Sequence, residues 1–199
     1  MKLIIPKRTE DLRIKHFKVL LNTDYEGDIT IVEVCKFMAE FTGEHLNDVL
    51  SWDANDMLKA YQHIKELYAD IRINKPPQTI MIGGMEYDLI NPHKVGSGWH
   101  IDFSKGDIHK DPVWMACLFY YPKGVVYGQT DENKNLLYPI AERYKLVERD
   151  MPLQTFLEAS GFFLTKIAQS MRNSTEAQKT TEKIVKMLKP LRLLRGKKQ

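Results

Sequence analysis

The sequence predicts an α+β fold, in which a mainly α-helical single domain carries a small antiparallel β-hairpin or sheet and is followed by a basic C-terminal helix. Along most of the chain, apolar residues recur at steps of three, four and seven, which places them on one face of successive helices. A Gly-Gly pair at 83–84 lies between two short runs of strand-forming residues, as in a tight hairpin. We therefore divide the chain into a globular domain over residues 1–172, with its hairpin at 79–90, and a basic helix or tail over 173–199.

Composition limits the class of protein. The 199 residues are 43% hydrophobic and 28% charged, which is ordinary for one globular domain. No apolar run reaches the roughly 20 residues that span a bilayer, so we expect no membrane partner. Cys35 and Cys117 each lie in an apolar helical pattern, which favours two buried free thiols over a disulfide. The thiols indicate a reducing compartment such as the cytoplasm.

Local signals mark the elements of the first half. Residues 2–6 resemble a short strand that is a candidate to join the sheet, and a first helix is expected before residue 22. Thr30 and Glu33 have the spacing of a capping box, and Gly43 is placed to end that helix. Residues 44–50 predict a turn, and Asp53 starts a longer helix to about residue 71. The expected inner face of the capped helix is Ile31, Val34, Cys35, Met38 and Phe41.

The second half begins with the hairpin, whose Gly-Gly turn suits positive φ angles. A short strand is expected at 99–103, in a stretch rich in Gly, Pro and Asp. Asp111-Pro112 then starts a helix, because Asp caps well and Pro suits the first helical position. Residues 121–124 should end it, and a further helix is predicted over 136–148.

The most apolar helix is predicted over 150–171, with Asp150 as its cap. Gly161 in its middle costs about 1 kcal/mol relative to Ala, which suggests that another backbone passes close by. Phe162 and Phe163 are adjacent, so they point about 100° apart and one should face a second surface. We therefore predict a protein-contact region from this helix and the last one, with the contact residues Phe156, Phe162, Phe163, Leu188, Leu191 and Leu194.

Charge is concentrated in the tail. Residues 179–199 hold eight basic residues and one acid, a charge of +7, and the remainder of the chain is mildly acidic. This tail can contact nucleic acid or an acidic protein surface, or it can be a solvated helix face with a frayed end. Its leucines favour docking of one face, and it lacks aromatic residues for base stacking. The basic residues of the predicted helix are Lys183, Lys186, Lys189, Arg192, Arg195, Lys197 and Lys198.

Residues with catalytic or metal-binding chemistry do not form a known signature. The metal candidates His93, His100, Asp102, His109 and Asp111 lack a ligand spacing typical of zinc. Gly96-Ser97-Gly98 lacks the Gly-Lys-Ser/Thr ending of a phosphate loop. No Gly-x-Ser-x-Gly elbow occurs, and both cysteines lie in apolar surroundings. We therefore expect no enzyme activity, no catalytic or metal-binding residue and no cofactor.

The order of several apolar blocks carries a resemblance. The chain contains I-I-P-x-x-x-x-D-L-x-I-x-x-F, then F-T-G, the Gly-Gly hairpin, D-P-V-W-M-A-C-L-F-Y-Y-P, E-R-Y-K-L-V-E-R-D-M-P-L and Phe162-Phe163. This order resembles small proteins encoded among the virion and tail genes of tailed bacteriophages, especially of Bacteroidetes-type hosts, that are similar to tail assembly chaperones. The resemblance spans most of residues 1–171 and does not include the basic tail.

The resemblance implies a contact protein without an active site. Such a protein would bind phage virion or tail proteins through apolar and aromatic surfaces, with a homo-oligomer as a further option. It would act in the host cytoplasm during assembly, either as a transient chaperone or as a component kept in the virion. The rival interpretation from another class is a nucleic-acid-binding accessory protein that uses the basic tail.

Overall fold

The computed structural model describes residues 5–22, 29–105 and 110–170. Within them, a 3-10 turn (Thr9–Asp11) precedes helices α1 (Ile14–Asn22), α2 (Ile31–Thr42), α3 (Leu46–Leu50) and α4 (Ala54–Asp70). Strands β1 (Thr79–Ile82) and β2 (Met85–Leu89) follow, then α5 (Ser97–Lys105), α6 (Pro112–Phe119), β3 (Tyr120–Pro122), α7 (Ile140–Asp150) and α8 (Leu153–Ser170). The fold is mostly helical with a small antiparallel sheet, which confirms the predicted α+β class. The predicted boundary at 172/173 and the tail lie outside the described residues.

The helix ends follow the local chemistry. The Thr30 hydroxyl accepts from the Glu33 N–H at 3.3 Å, and the Glu33 carboxylate accepts from the Thr30 N–H at 2.7 Å, which confirms the capping box. Gly43 ends α2 with a φ of 76°, in the left-handed region. Asp53 and Asp111 accept backbone N–H groups at the starts of α4 and α6, as predicted.

Three strands form the sheet in the order β1-β2-β3, all antiparallel. The hairpin turns at Gly83-Gly84, with φ angles of 57° and 80°, which confirms the predicted turn. Ile80 pairs with Tyr87, and Tyr87 pairs with Pro122, so β2 is the central strand. The predicted strand at 2–6 falls mostly outside the described residues, and Ile5 and Pro6 do not belong to a strand.

The core lies where α1, α6 and α8 meet. Backbone hydrogen bonds join the start of α1 to the start of α8, from Ile14 N–H to the Met151 carbonyl at 3.1 Å and from Leu153 N–H to the Leu12 carbonyl at 3.0 Å. Phe17 packs near Phe156 behind this junction, with ring centroids 5.9 Å apart. α8 is therefore one wall of the core from its first turn onward.

Five predicted features are wrong in detail. The turn predicted at 44–50 contains the short helix α3, Leu46–Leu50. The expected strand at 99–103 is part of helix α5, because Trp99 and Phe103 stack at 4.9 Å as (i, i+4) neighbours. Residues 120–122 form β3 rather than only ending a helix. The helix predicted from 136 begins at Ile140, after Tyr138 takes a φ of 52°. Ile31 is 48% exposed, since the first turn of α2 extends beyond the core.

α8 also begins differently from the prediction. Asp150 is the last residue of α7 and forms a hydrogen-bonded ion pair with Arg149, so it does not cap α8. None of the helices in the described ranges combines the length and apolarity that crossing a bilayer requires.

Candidate contact surface

Two of the predicted contact residues on α8 belong to the core. Phe163 is 1% exposed, and its ring stacks on Phe119 at 4.6 Å between centroids. Phe156 is fully buried between Phe17 and Phe119. The prediction that Phe156 and Phe163 contact a partner is therefore wrong, because α1 and α6 cover the first ring, and α6 and Trp99 of α5 cover the second. Their role is to hold α8 against those helices.

Phe162 lies on a different face of α8. Its side chain is half-buried, and its ring meets that of Phe163 edge-on at 5.5 Å. The Lys166 ammonium lies over the Phe162 ring, 5.9 Å from its centroid. A lysine over an aromatic ring at an exposed site is worth about 0.5–1 kcal/mol. The structure is therefore compatible with Phe162 as a contact residue.

A groove of about 720 Å³ lies at the end of α4. The described residues that line it are Ala69, Asp70, Arg72 and Ile73, at the end of α4 and just after it. Ile73 is 42% exposed, and its methyl would lie 3.9 Å from a Cβ placed on Gly161. Among the described residues, the nearest group is the Ile73 side chain, and they do not supply the predicted close backbone at Gly161. The same contact joins the groove to the surface next to Phe162.

The segment after α4 is fixed against α8 by a polar contact. The Glu158 carboxylate accepts from the Asn74 N–H at 3.2 Å and from the Gln154 amide at 2.9 Å. Glu158 is only 6% exposed, so these hydrogen bonds replace those that its carboxylate would otherwise make to water. Ile73 lies beside Gly161, which precedes Phe162 on α8, and we call these three residues the Phe162 surface.

The remaining predicted contact residues cannot be placed. Leu188, Leu191, Leu194 and all seven basic residues of the predicted last helix lie outside the described residues. Their role in contact stays a prediction.

Comparison with known proteins adds no relative. A scan against protein-family models and searches of curated proteins and solved structures found no match to this chain.

Two of the metal candidates, Asp102 and Asp111, accept hydrogen bonds from other groups, whereas His93 and His100 are exposed. The Asp102 carboxylate accepts from the Tyr127 hydroxyl at 2.6 Å. Asp111 accepts from the Trp114 N–H at 3.0 Å and from the Tyr144 hydroxyl at 2.8 Å. His109 lies outside the described residues, and the described ranges bring no three His, Cys, Asp or Glu side chains together as a metal site.

Both cysteines are free and buried, as predicted. Burial raises the pKa of the Cys117 thiol to about 12, partly offset by the nearby Arg143 cation. The Cys35 sulfur lies 3.5 Å from that of Met57. A protonated thiol inside the core is a weak nucleophile, so Cys117 has the environment of a structural residue.

A polar network between α1, α6 and α7 was not predicted. The Lys18 ammonium donates to Glu148 at 2.7 Å and to the Tyr144 hydroxyl at 2.9 Å, and Tyr144 donates to Asp111. Burial lowers the pKa of Lys18, but the bonds to Glu148 and Tyr144 outweigh it and the net pKa is raised. Lys18 is therefore held as a cation. Because the partners are about 130 residues apart, helical periodicity alone could not pair them.

A second concave region was also not predicted from the sequence. It has a volume of about 230 Å³ and lies between the end of β2, the turn after it and the loop after β3. The ring of Tyr127 lines it, backed by Tyr121 with ring centroids 5.1 Å apart. We call this region the Tyr127 pocket. Its walls combine the end of the predicted hairpin with segments that the sequence analysis assigned to loops and turns.

Proposed function

We propose that this protein is a non-enzymatic bacteriophage structural or assembly protein that acts by protein–protein contact in tail or virion morphogenesis. It would be tail assembly chaperone-like, or a connector or tail component of the virion. The order of apolar blocks that resembles phage tail assembly proteins supports this function. The observation that carries it is the Phe162 surface, where a large aromatic ring is left partly uncovered beside a groove.

The geometry of the Phe162 surface suits a contact protein. Phe163 and Phe156 anchor α8 from the inside, so Phe162 is held on a rigid helix. A rigid aromatic side chain supplies contact area at a low cost in conformational entropy. Fully burying a Phe side chain is worth about 1.5–3 kcal/mol, so covering the exposed part of the half-buried Phe162 contributes less than this. Ile73, at 42% exposure, adds apolar area next to it.

The test is recovery of partners from infected cells with an affinity-tagged full chain. We expect virion or tail proteins to co-purify, and we expect Phe162→Ser to reduce their recovery several-fold while the thermal unfolding transition stays cooperative. Leu58→Ser is the matched control, because Leu58 is 44% exposed on α4 and the change in chemistry is similar. Normal recovery with Phe162→Ser would show that Phe162 is not a contact residue. Recovery of no virion or tail protein with the unmodified chain would overturn the proposed function.

Mass spectrometry of purified particles distinguishes the two forms of the proposal. Abundant peptides from this chain would identify a component retained in the virion. Their absence from particles, combined with recovery of tail proteins from infected cells, would identify a chaperone that acts in the host cytoplasm.

A second candidate function is nucleic-acid binding through the basic tail. The charge of +7 over residues 179–199 favours it. Binding of a DNA probe through n phosphate contacts should weaken with salt. The logarithm of the association constant should fall against the logarithm of the salt concentration with a slope of about −0.9n. Such binding should be lost when residues 179–199 are deleted. A deletion variant that binds DNA as well as the full chain would exclude the tail as the binding element.

A further inference from the structure

The sheet has two edges, and the chain finishes them differently. In the order β1-β2-β3, β1 and β3 are the edge strands, and each turns alternate backbone N–H and C=O groups away from β2. Such a row of groups is a template for a further strand unless proline, charge or another part of the chain blocks it. The partners of these outward groups therefore show which edge can take a strand.

The edge at β3 is closed within the chain. Tyr120 and Pro122 face outward, because the residues on either side of them bond to β2. The Tyr120 N–H donates to the Ala116 carbonyl, and the Tyr120 carbonyl accepts from Arg143 at 3.2 Å. Pro122 has no N–H, and its carbonyl accepts from the Val125 N–H at 3.2 Å. Each outward group of β3 is therefore either bonded already or absent.

The edge at β1 is open. The Gln78 carbonyl accepts from β2 at 2.7 Å, and Ile80 has the same orientation. Thr79 and Met81 alternate with them and therefore turn their backbone N–H and C=O groups outward. In the described ranges of the chain, no hydrogen bond reaches these outward groups. Both residues are exposed, Met81 to 58%, so another strand can approach them.

β1 also lacks the features that usually protect an edge. Residues 78–82, Q-T-I-M-I, contain no charged residue and no proline, and the pairing of Thr79–Ile82 with β2 has no bulge. The β-branched residues in this stretch favour an extended backbone. Pro77 before the stretch and the turn at Gly83 after it limit the length that can pair. The edge therefore accepts a short uncharged strand.

A second copy of β1 is complementary to this edge in one antiparallel register. With a two-fold axis at Ile80, Thr79 of each copy lies opposite Met81 of the other, and each such pair exchanges both N–H···O=C bonds. Ile80 then lies opposite Ile80 of the second copy at a pair without hydrogen bonds, where side chains are closest. An axis at Thr79 would place Met81 opposite Pro77, which has no N–H. An axis at Met81 would place Thr79 opposite Gly83, in the turn.

Charge does not oppose this pairing. The acids on β2 that pair with β1 are Glu86 and Asp88. The Glu86 carboxylate forms an ion pair with Lys123 at 2.7 Å, whereas Asp88 keeps its charge beside the Thr79 hydroxyl. In the joined sheet, two β1 strands separate the Asp88 residues of the two copies, a distance of at least about 14 Å at the usual strand spacing. Salt screens most of the repulsion between exposed charges more than about 10 Å apart.

We propose that β1 pairs antiparallel with β1 of a second copy of this chain, which joins two three-stranded sheets into one across a dimer. So short a strand pairing buries much less than the roughly 1,200 Å² of a standard interface, so the dimer is weak and forms at high local concentration. This self-contact goes beyond the proposed function, because it is separate from the contact with phage proteins at the Phe162 surface.

Residue-resolved amide hydrogen exchange of the full chain tests the pairing directly. The Thr79 and Met81 amides should exchange rapidly in dilute solution and become about ten-fold or more protected near millimolar concentration. The Ile80 and Ile82 amides face β2 and should stay protected at both concentrations. Sedimentation equilibrium should show monomer and dimer over the same range, with a dissociation constant of about 0.01–1 mM.

Two variants at Met81 separate the backbone from the side chain. Met81→Pro removes an N–H that points away from β2, a place where an edge strand tolerates proline, and it should weaken dimerisation at least about ten-fold. Met81→Val keeps the N–H and suits a strand, so its dissociation constant should stay within about two-fold of that of the unmodified chain. Thermal unfolding checks that both variants fold.

The proposal fails if the chain stays monomeric at about 1 mM. It also fails if a dimer forms without added protection of the Thr79 and Met81 amides, or if a folded Met81→Pro variant dimerises as strongly as the unmodified chain. If Met81→Pro does not fold, the exchange of the unmodified chain decides. Protection that appears only when virion or tail proteins are added would identify a strand of another protein as the occupant and would also overturn the proposal.

The dimer measurements need only the purified chain. Their failure therefore leaves the Phe162 recovery test intact, and failure of the Phe162 test leaves the dimer result intact.

Discussion

The guanidinium of Arg143 donates a hydrogen bond to the backbone carbonyl of Cys117 at 3.0 Å inside the core. The same side chain donates to the carbonyls of Tyr120 at 3.2 Å and Tyr138 at 2.8 Å, and it is only 3% exposed. Cys117 and Tyr120 lie at the end of α6, where carbonyls lack helical partners and the helix dipole favours a cation. Arg143 thus joins α7 to the end of α6 and to the loop before α7.

Replacing Arg143 should destabilise the fold strongly. Arg143→Leu removes the donor to three carbonyls, and each buried acceptor left without a partner costs about 1–3 kcal/mol. We expect a loss of at least about 3 kcal/mol in the free energy of unfolding, measured by urea denaturation. Arg149→Leu on the same helix is the control. Its partner Asp150 lies at the surface, so the loss there should stay below about 1 kcal/mol. Equal losses in the two variants would contradict this role.

Three glycines should respond differently to alanine. Gly161 has a Cβ position with only an ordinary contact to Ile73 at 3.9 Å, so Gly161→Ala should stabilise α8 by about 1 kcal/mol. Gly84 has a φ of 80° and open space, so Gly84→Ala should cost about 1–2 kcal/mol from backbone strain alone. Gly83→Ala should cost more, because its Cβ would also overlap the Leu146 side chain. Urea denaturation should show Gly161→Ala as the most stable variant, Gly84→Ala as the next and Gly83→Ala as the least stable. Any other order would contradict this explanation.

Features set by neighbours in sequence were predictable. The Thr30–Glu33 capping box, the end of α2 at Gly43 and the Gly-Gly turn depend on backbone conformation and on groups a few residues apart. The sequence pattern contains all the parts that such features need. Their outcomes therefore match the sequence analysis closely.

Features set by distant partners were not predictable in the same way. The apolar stripe on α8 placed Phe156 and Phe163 on a buried face, but it could not say whether α6 or another protein covers them. The Trp99 indole donates to the Leu118 carbonyl at 2.9 Å and holds helix α5 against α6, a contact that the Gly-rich composition does not indicate. Arg143 lies in a charged sequence typical of a surface, yet its partners at 117 and 120 bury it.

Acid should destabilise the protein through His16. Burial, helped by the cations Lys15 and Arg13, lowers the pKa of His16 to about 4 from an ordinary value of about 6.5. Its ring stacks on Phe41 at 4.6 Å, and its Nδ1 accepts from the Arg13 N–H at 2.9 Å, so the folded protein holds the neutral imidazole. Below about pH 6.5 the unfolded chain binds a proton at His16, whereas the folded chain binds that proton only below about pH 4.

Stability should therefore fall as the pH drops from about 6.5 to about 4, by up to about 3 kcal/mol from this residue. His16→Asn keeps an acceptor near Nδ1 and cannot become charged, so it should flatten the dependence over that range. Urea denaturation at pH 4, 5, 6 and 7 measures it. His100→Gln, at an exposed residue of α5, is the control and should keep the original slope. The His16 explanation fails if the slope is the same in His16→Asn.

The thiols should be unreactive until the protein unfolds. Cys117 is 0% exposed with its pKa raised to about 12 by burial, so at neutral pH it is a thiol and not the reactive thiolate. Cys35 is 4% exposed, so a reagent has little access to it as well. We expect a thiol-reactive maleimide to label neither cysteine of the folded chain within minutes, and both within the same time in denaturant.

Cys117 should be labelled faster in the Arg143→Leu variant than in the unmodified chain, because the change opens the end of α6, where the Cys117 carbonyl loses its partner. Arg149→Leu should not change the rate. Equal labelling of Cys117 in the Arg143 and Arg149 variants would show that Arg143 does not hold this part of the core closed.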